Sequence, residues 1–575
     1  MGQYQPAQLN RYNPDAIARH YRLRPWKGWG RTFKIIWYFA GFLLGLKLDE
    51  WQGLVEENKL KRATQMRKIL TRLGPTFIKV GQALSTRPDL IRQDFLMELI
   101  KLQDQLPAFD NAIAYDLIES QLQRSISEIF SELSPVPVAA ASLGQVYRGR
   151  LLSGEEVAVK VQRPNLRPLL SLDLYLMRWA AGWLSPWLPL NLGHDLTLIV
   201  DEFGTKLFEE IDYLNEARNA EKFANNFRND TRVKVPSIYW RFTSDRVLTL
   251  EWINGFKLTD TQSIRAAGLD PEKVIQIGVT SGLQQLLEHG FFHADPHPGN
   301  LFALPDGRMA YIDFGMMDQL DETNKECLVD ALVHLVNNDY NELAVDFVNL
   351  GFLTPGTDIR PIVPALEAVW KDALGKNVGD FNFKTITDKF SELVYEYPFR
   401  VPAKFALIIR SLITQEGIAL SLNPEFKIVE VGYPYVARRL LNGESPALRR
   451  RLLNVLFKDG KFQWERLENL ISIARTDNNF DLLPTAQLGF QYLLSDEGKF
   501  LRSQLVLALT EDNRLHTEEV QRLWNLVKAD LQPNRLFSVA FDALTELSRE
   551  SVAAILPKTP FLAVFANNND ATHKG

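Results

Sequence analysis

At 575 residues the chain exceeds what one hydrophobic core accommodates, so two or three domains are expected. A composition 46% apolar and 23% charged is that of an ordinary globular protein and excludes a disordered one. A formal charge of -5 gives no bulk electrostatic case for nucleic acid as a partner, and the single cysteine, Cys327, excludes an intramolecular disulfide.

Residues 1–60 form a basic, aromatic leader. Arg11, Arg19, Arg22, Arg24, Lys27, Arg31 and Lys34 face one acid, Asp15, and lead into the apolar run Ile35–Leu46. That run is too short to span a bilayer, and no small-residue cleavage site follows it. Two readings stay open: a helix at a membrane interface, or a helix docked on the protein's own core. Residues 61–130 show helical periodicity broken at Gly74-Pro75, and Pro135 and Pro137 mark a boundary.

After that boundary the texture changes. VAAASLGQVYRGRLLSGEEVAVKVQRP alternates and turns at Ser153-Gly154, as a hairpin of two strands does. Helical sequence over 166–228 precedes two further strand candidates, 233–240 and 246–253. Beyond Gly255 the chain is mostly helical, save a short hairpin turning at Asp306-Gly307. Strands first and helices later predict an α+β, two-lobed arrangement, with lobes over 131–253 and 254–440 and a helical tail over 441–575. No uninterrupted apolar run has spanning length; the late stretch VAAILPKTPFLAVFA is broken by Pro557, Lys558 and Pro560.

Four features line up in an order that phosphoryl transfer explains. Ala139, Ala141, Gly144 and Val146 have the spacing of a glycine-rich nucleotide loop, G-x-G-x-x-G-x-V, with alanine at the first two glycine positions. VAVK on the next strand ends at Lys160, whose ammonium can pair with α- and β-phosphates if a carboxylate holds it. HADPHPGN carries Asp295 and Asn300 five apart, as in a kinase catalytic loop: a proton acceptor and a Mg²⁺ ligand. Asp313 opens D-F-G thirteen residues after Asn300, a second metal-binding position. Each motif alone is weak, since small-residue turns and strand-end lysines are common. His293, Asp295 and His297, with His289 upstream, could instead ligate a transition metal.

Further signatures make the chain resemble the UbiB/ADCK family of atypical kinases, from about residue 60 to about 430. KVGQ, with Lys79 and Gln82, looks like the family's K-x-G-Q motif. AAAS, from Ala139 through Ala140 and Ala141 to Ser142, looks like its alanine-rich loop. EIDYLNEARN, with Glu210 and Asp212, looks like its E-x-D motif. The resemblance implies a protein-kinase-like fold whose first lobe carries an insertion, with ATP and Mg²⁺ as cofactors. Lys79 and Gln82, three apart, share one helix face. Glu216 is the carboxylate expected to pair with Lys160, with Glu209 and Glu210 as competitors that spacing does not exclude. Backbone groups around Glu251 to Ile253 would face adenine.

The family's helical extension is understood to cover the peptide groove. The resemblance therefore implies an ATPase or small-molecule kinase rather than a protein kinase or a nucleotide-gated lipid-binding scaffold. It implies prenylquinone-type lipids or their biosynthetic enzymes as partners, and a peripheral, cytoplasmic-side membrane location, thylakoid or plastoglobule-like in a photosynthetic organism.

Overall fold

The computed structural model describes residues 11–85, 92–102, 107–184, 196–336, 338–374 and 399–426, Tyr397, and short stretches between 428 and 515. The chain divides into two compact units, Met1–Val431 and Gly432–Gly575.

The first unit opens with helices α1 (Pro14–Arg22), α2 (Trp29–Gln52), α3 (Val55–Leu73), α4 (Pro75–Leu84), α5 (Gln93–Leu99) and α6 (Asn111–Leu122). The apolar run Ile35–Leu46 proves to be the middle of the 24-residue α2. Phe42 is buried, and Ile35, Phe39 and Leu46 pack with it against Leu70, Leu73 and Phe77 of α3 and α4. The leader therefore docks on its own core along one face, while its opposite face is exposed. Gly74, at φ +96, separates α3 from α4, and Pro75 starts the new helix where its missing N–H costs nothing.

Next come strands β1 (Phe130–Leu133), β2 (Ala139–Ala140), β3 (Gly144–Leu151) and β4 (Glu156–Gln162). Helices α7 (Leu166–Leu184), α8 (Leu196–Glu210) and α9 (Tyr213–Asn226) are inserted before β5 (Val233–Lys234) and β6 (Val247–Glu251). Strands β1, β3, β4 and β6 form one antiparallel sheet in that order, with β2 paired to β3. Side chains alternate across β4. Val157, Val159 and Val161 face α6, packing with Ala114, Ile118 and Tyr147. Ala158 faces the other way, against Tyr213 and Ala217 of α9, and Lys160 shares that face by parity.

The strand expected over 233–240 is corrected. The stretch is not one strand: Val233–Lys234 pairs in parallel with a strand of the second lobe, and Ile238 forms a single antiparallel bridge with Leu250 of β6. Pro236 lacks the N–H that a ladder needs, and the segment turns into a 3₁₀ helix at Trp240–Phe242.

The second lobe has β7 (Phe256–Lys257), α10 (Thr261–Ala266), α11 (Pro271–Gln284), β8 (Phe291–His293), β9 (Leu301–Ala303), β10 (Met309–Tyr311) and β11 (Met317–Gln319). Then follow α12 (Glu322–Val336), α13 (Tyr340–Asn349), α14 (Ile362–Leu374) and α15 (Ala403–Leu422). β9 and β10 are the expected hairpin, turning at Gly307 with φ +84. By length and composition, Lys404–Leu422 is the one helix among the described residues that could cross a membrane. In the sequence Arg410, Gln415 and Glu416 interrupt the apolar run over this helix. Half of it is buried in the protein, and it packs against α11.

In the second unit the described residues include two short hairpins, Phe457–Lys458 with Lys461–Phe462 and Thr510–Glu511 with Arg514–Leu515. The late apolar stretch around Pro557 lies outside the described residues.

Candidate active site

Lys160 reaches the cleft because β4 parity turns it towards α9, whose N-terminus is fixed by Asp212. That carboxylate accepts from the Leu214 and Asn215 amides at 3.1 and 3.3 Å. One turn on, Glu216 is 1% exposed and accepts from Lys160 Nζ through both oxygens at 2.9 Å. Of the three carboxylates considered, Glu216 is the one in contact. Glu209 pairs with Lys206 at 3.2 Å, and Glu210 with Lys79 at 2.5 Å. Burial opposes the Lys160 charge, but Asp313 and Glu216 raise its pKa well above the ordinary value. Burial pushes the Glu216 carboxyl up to about 7 against the pull of Lys160.

The loop after β8 holds Asp295 and Asn300. His293 is buried; its Nδ1 accepts the Asp295 N–H at 3.1 Å and its Nε2 donates to the Asp313 carbonyl at 2.9 Å. One donor and one acceptor define a neutral imidazole, and burial lowers its pKa accordingly. Asn300 Nδ2 lies 3.4 Å from Asp313 Oδ2, and Lys160 Nζ lies 3.7 Å from the same oxygen. Burial would raise the Asp313 pKa; Lys160, the Gly315 amide and Lys79 outweigh it and hold the carboxyl at about 2. The Asn300 amide turns its nitrogen towards Asp313; with that amide flipped, its oxygen and the ionised carboxylate form a pair of hard oxygen donors of the kind that Mg²⁺ takes.

The alternative transition-metal cluster does not assemble. His293 spends both nitrogens as described, His297 Nδ1 accepts the Gly299 N–H at 3.1 Å, and His289 packs against Phe227. Among the described residues no group of three such side chains could hold a metal ion.

In the alanine-rich loop, Ala139 pairs with Val146 and Ala140 with Gln145 across the β2–β3 hairpin. The Ala141 N–H donates to the Gly144 carbonyl at 2.8 Å, and the Arg163 guanidinium donates to the Ala141 carbonyl at 3.0 Å. Ser142 is buried beneath this turn. Gly144 has a packing reason to be glycine: a Cβ there would sit 2.6 Å from the Val161 carbonyl oxygen and 2.5 Å from Tyr213 Oη. At the lobe junction Glu251 bonds Lys234 at 2.7 Å, and the Trp252 N–H just before Ile253 donates to the Glu156 carbonyl at 3.0 Å.

Lys79 and Gln82 do share a face of α4, and that face is buried rather than solvated. Gly81 between them leaves no room for a Cβ against Leu70 and Leu102, so α4 is held close. Glu210, the partner of Lys79, packs beside Gly315 of the D-F-G turn.

Sequence reasoning missed several neighbours. Asn219 donates to the Phe314 carbonyl at 3.1 Å, and Gln285 accepts the His293 N–H at 2.9 Å. Arg410 of α15 lies 2.9 Å from Asp295 Oδ2. Its signal was present: a guanidinium in the middle of the apolar helical run AKFALIIRSLIT.

Residues 101–346 match the model of an ABC1 atypical kinase-like domain, and residues 366–427 that of a UbiB helical domain. The chain is 68% identical to a Synechocystis protein described as uncharacterized protein slr1919, covering 96% of this chain and 97% of that one. It is 48% identical to the Arabidopsis thaliana protein ACTIVITY OF BC1 COMPLEX KINASE 1, chloroplastic, over 91% of this chain and 79% of that one. A solved structure of Rv3197 with erythromycin, from Mycobacterium tuberculosis, is 27% identical, with a TM-score of 0.43 over 65% of this chain and 94% of that one. With its alanine-rich loop and K-x-G-Q helix, the chain belongs to the ABC1/UbiB family of atypical kinase-like proteins, in company with cyanobacterial and chloroplastic members.

Proposed function

We propose that this protein is an ATP-dependent atypical kinase or ATPase that supports isoprenoid-quinone metabolism, of the ubiquinone, plastoquinone or tocopherol type, at a membrane surface. The observation that carries the reading is the Lys160–Glu216 pair set 3.7 Å from Asp313, with Asn300 beside it. In this reading Lys160, held by Glu216, pairs with the α- and β-phosphates. Asp295 accepts the proton of a substrate hydroxyl or of water. The Ala139–Ser142 loop, with Gly144 and Val146, covers the phosphates, and the backbone from Glu251 to Ile253 receives adenine. Asp313 and Asn300 would hold Mg²⁺, which would supply positive charge against the phosphates.

Lys79, Gln82 and the Glu210–Asp212 segment roof the D-F-G turn and restrain access. That roof favours a small acceptor or water over a peptide. The chloroplastic relatives and the exposed aromatic face of α2 support the membrane setting.

The test has two parts. Asp313→Asn is expected to abolish Mg·ATP binding, whereas Asp295→Asn keeps it and loses about 10²–10⁴-fold in turnover. Undiminished ATP hydrolysis by the Asp295 variant rejects its role as base. Lipid mass spectrometry of a deletion strain is expected to show altered quinone intermediates, and unchanged quinones point to another pathway.

A further inference from the structure

We propose that Arg410 of α15 is a positioning residue for Asp295, so that the helical region beyond the kinase-like domain supplies part of the active site. The proposal rests on the phosphoryl-transfer reading above and adds a residue outside the matched kinase-like domain, 101–346.

The backbone of Asp295 is fixed by its bond to His293 Nδ1, but that bond does not set the direction of the carboxylate. Arg410 does. Its Nη2 lies 2.9 Å from Asp295 Oδ2, with the two side chains only 16% and 19% exposed. One carboxylate oxygen is held by a guanidinium, and Oδ1 is then presented as the acceptor. A partly buried charge on an otherwise apolar helix is costly unless paired, and here its partner is the proposed base.

The placement of Arg410 is built into the packing of the second lobe. α15 packs on α11, and the Gln415 amide fills the space above Gly282. Gln415 donates to Ser411 at 3.3 Å within this interface, and Ser411, Gln415 and Glu416 are all buried. α11 runs on through the π turn Gln285–His289 into β8, and Gln285 accepts the His293 N–H. The frame that orients the catalytic loop therefore also sets the register of α15, and with it the reach of Arg410. A shift of about 1 Å in a positioned catalytic group can cost about 10²-fold in rate.

The experiment uses the full chain and measures ATP turnover, Mg·ATP affinity and melting temperature together. Arg410→Ala is expected to lower kcat by about 10–10²-fold with the nucleotide Kd unchanged. Arg410→Lys recovers part of the loss, because an ammonium pairs with a carboxylate without the planar fork. Free ethylguanidinium restores turnover to Arg410→Ala. The double variant Arg410→Ala/Asp295→Asn turns over no more slowly than Asp295→Asn alone, since the two groups act as a unit. Arg410→Gln, which keeps a polar stem of similar reach but no charge, gives the same split between kcat and Kd. It also keeps the test sharp if Arg410→Ala melts early.

Additive losses in the double variant, or full turnover by Arg410→Ala, overturn the positioning role alone. Wild-type turnover by Asp295→Asn rejects Asp295 as the base, and the positioning role with it; absence of Mg·ATP binding and turnover in the wild-type chain overturns the phosphoryl-transfer reading itself.

Discussion

His293 shows how much of this site rests on single atoms. Its ring is bonded on both sides to the two segments that carry Asp295 and Asp313. Protonation would convert Nδ1 from acceptor to donor and set it against the Asp295 N–H. Burial therefore lowers the His293 pKa from the ordinary 6.5. For a group whose folded pKa is depressed, the stability it contributes is present above the unfolded pKa and lost as pH falls through the folded one. Wild-type protein is accordingly expected to lose stability between pH of about 7 and about 5 more steeply than His293→Gln, whose amide can donate and accept without titrating. Urea denaturation at a series of pH values reads this directly. Parallel slopes for the two proteins exclude a buried neutral imidazole.

At the scale of elements, the β2–β3 turn separates two roles that one motif confounds. The template G-x-G-x-x-G-x-V suggests that Gly144 is there for the phosphates, but its missing Cβ makes room for the Val161 carbonyl and Tyr213 Oη. Gly144→Ala is expected to destabilise the fold by about 1–3 kcal/mol, the usual cost of overpacking. Ala141 is exposed in the turn itself, so Ala141→Gly is expected to leave stability within about 1 kcal/mol and to alter nucleotide affinity instead. Equal effects of the two substitutions on stability, measured in urea, reject this division.

The same contrast explains what was legible in the sequence. Local signals gave the hairpin around Gly154, the break at Gly74-Pro75, and the loop and D-F-G that bring Asn300 to Asp313. Glu216 is the partner expected for Lys160, but spacing alone leaves Glu209 and Glu210 as competitors, because the pairing depends on where α8 ends and α9 begins. Arg410 was not found at all, because its meeting with Asp295 spans 115 positions of chain and follows from the packing of α15 on α11. The extent of the second-lobe sheet was misjudged for the same reason: β5 pairs with β10 across a long separation.

For the first unit as a whole, the leader is the element with an unexplained surface. Trp29, Phe33, Trp37, Leu44 and Trp51 are all exposed and recur at intervals of four or seven residues, so they line one stripe along α2. At 1.5 Å per residue the stripe runs about 35 Å. Scattered exposed apolar residues need no explanation, but a continuous aromatic stripe does. Aromatic rings below a basic segment, with Arg22 and Lys27 exposed just upstream, suit the boundary of an anionic bilayer. The other side of α2 is clamped to the body of the lobe. Arg31 bonds both oxygens of buried Asp173 at 2.7 Å, and Thr76 of α4 donates to the same carboxylate at 2.6 Å. A membrane seated on the stripe would therefore bear on α4, the helix that carries Lys79. Full-length protein is expected to float with anionic vesicles, and salt should weaken it by screening basic residues that contribute about 1 kcal/mol each. Trp37→Glu combined with Trp51→Glu is expected to abolish flotation while moving stability by no more than about 0.5 kcal/mol per site, because both rings are exposed. Flotation that ignores both salt and these substitutions would show that the stripe is not the membrane face, and that α2 serves only to brace α3 and α4.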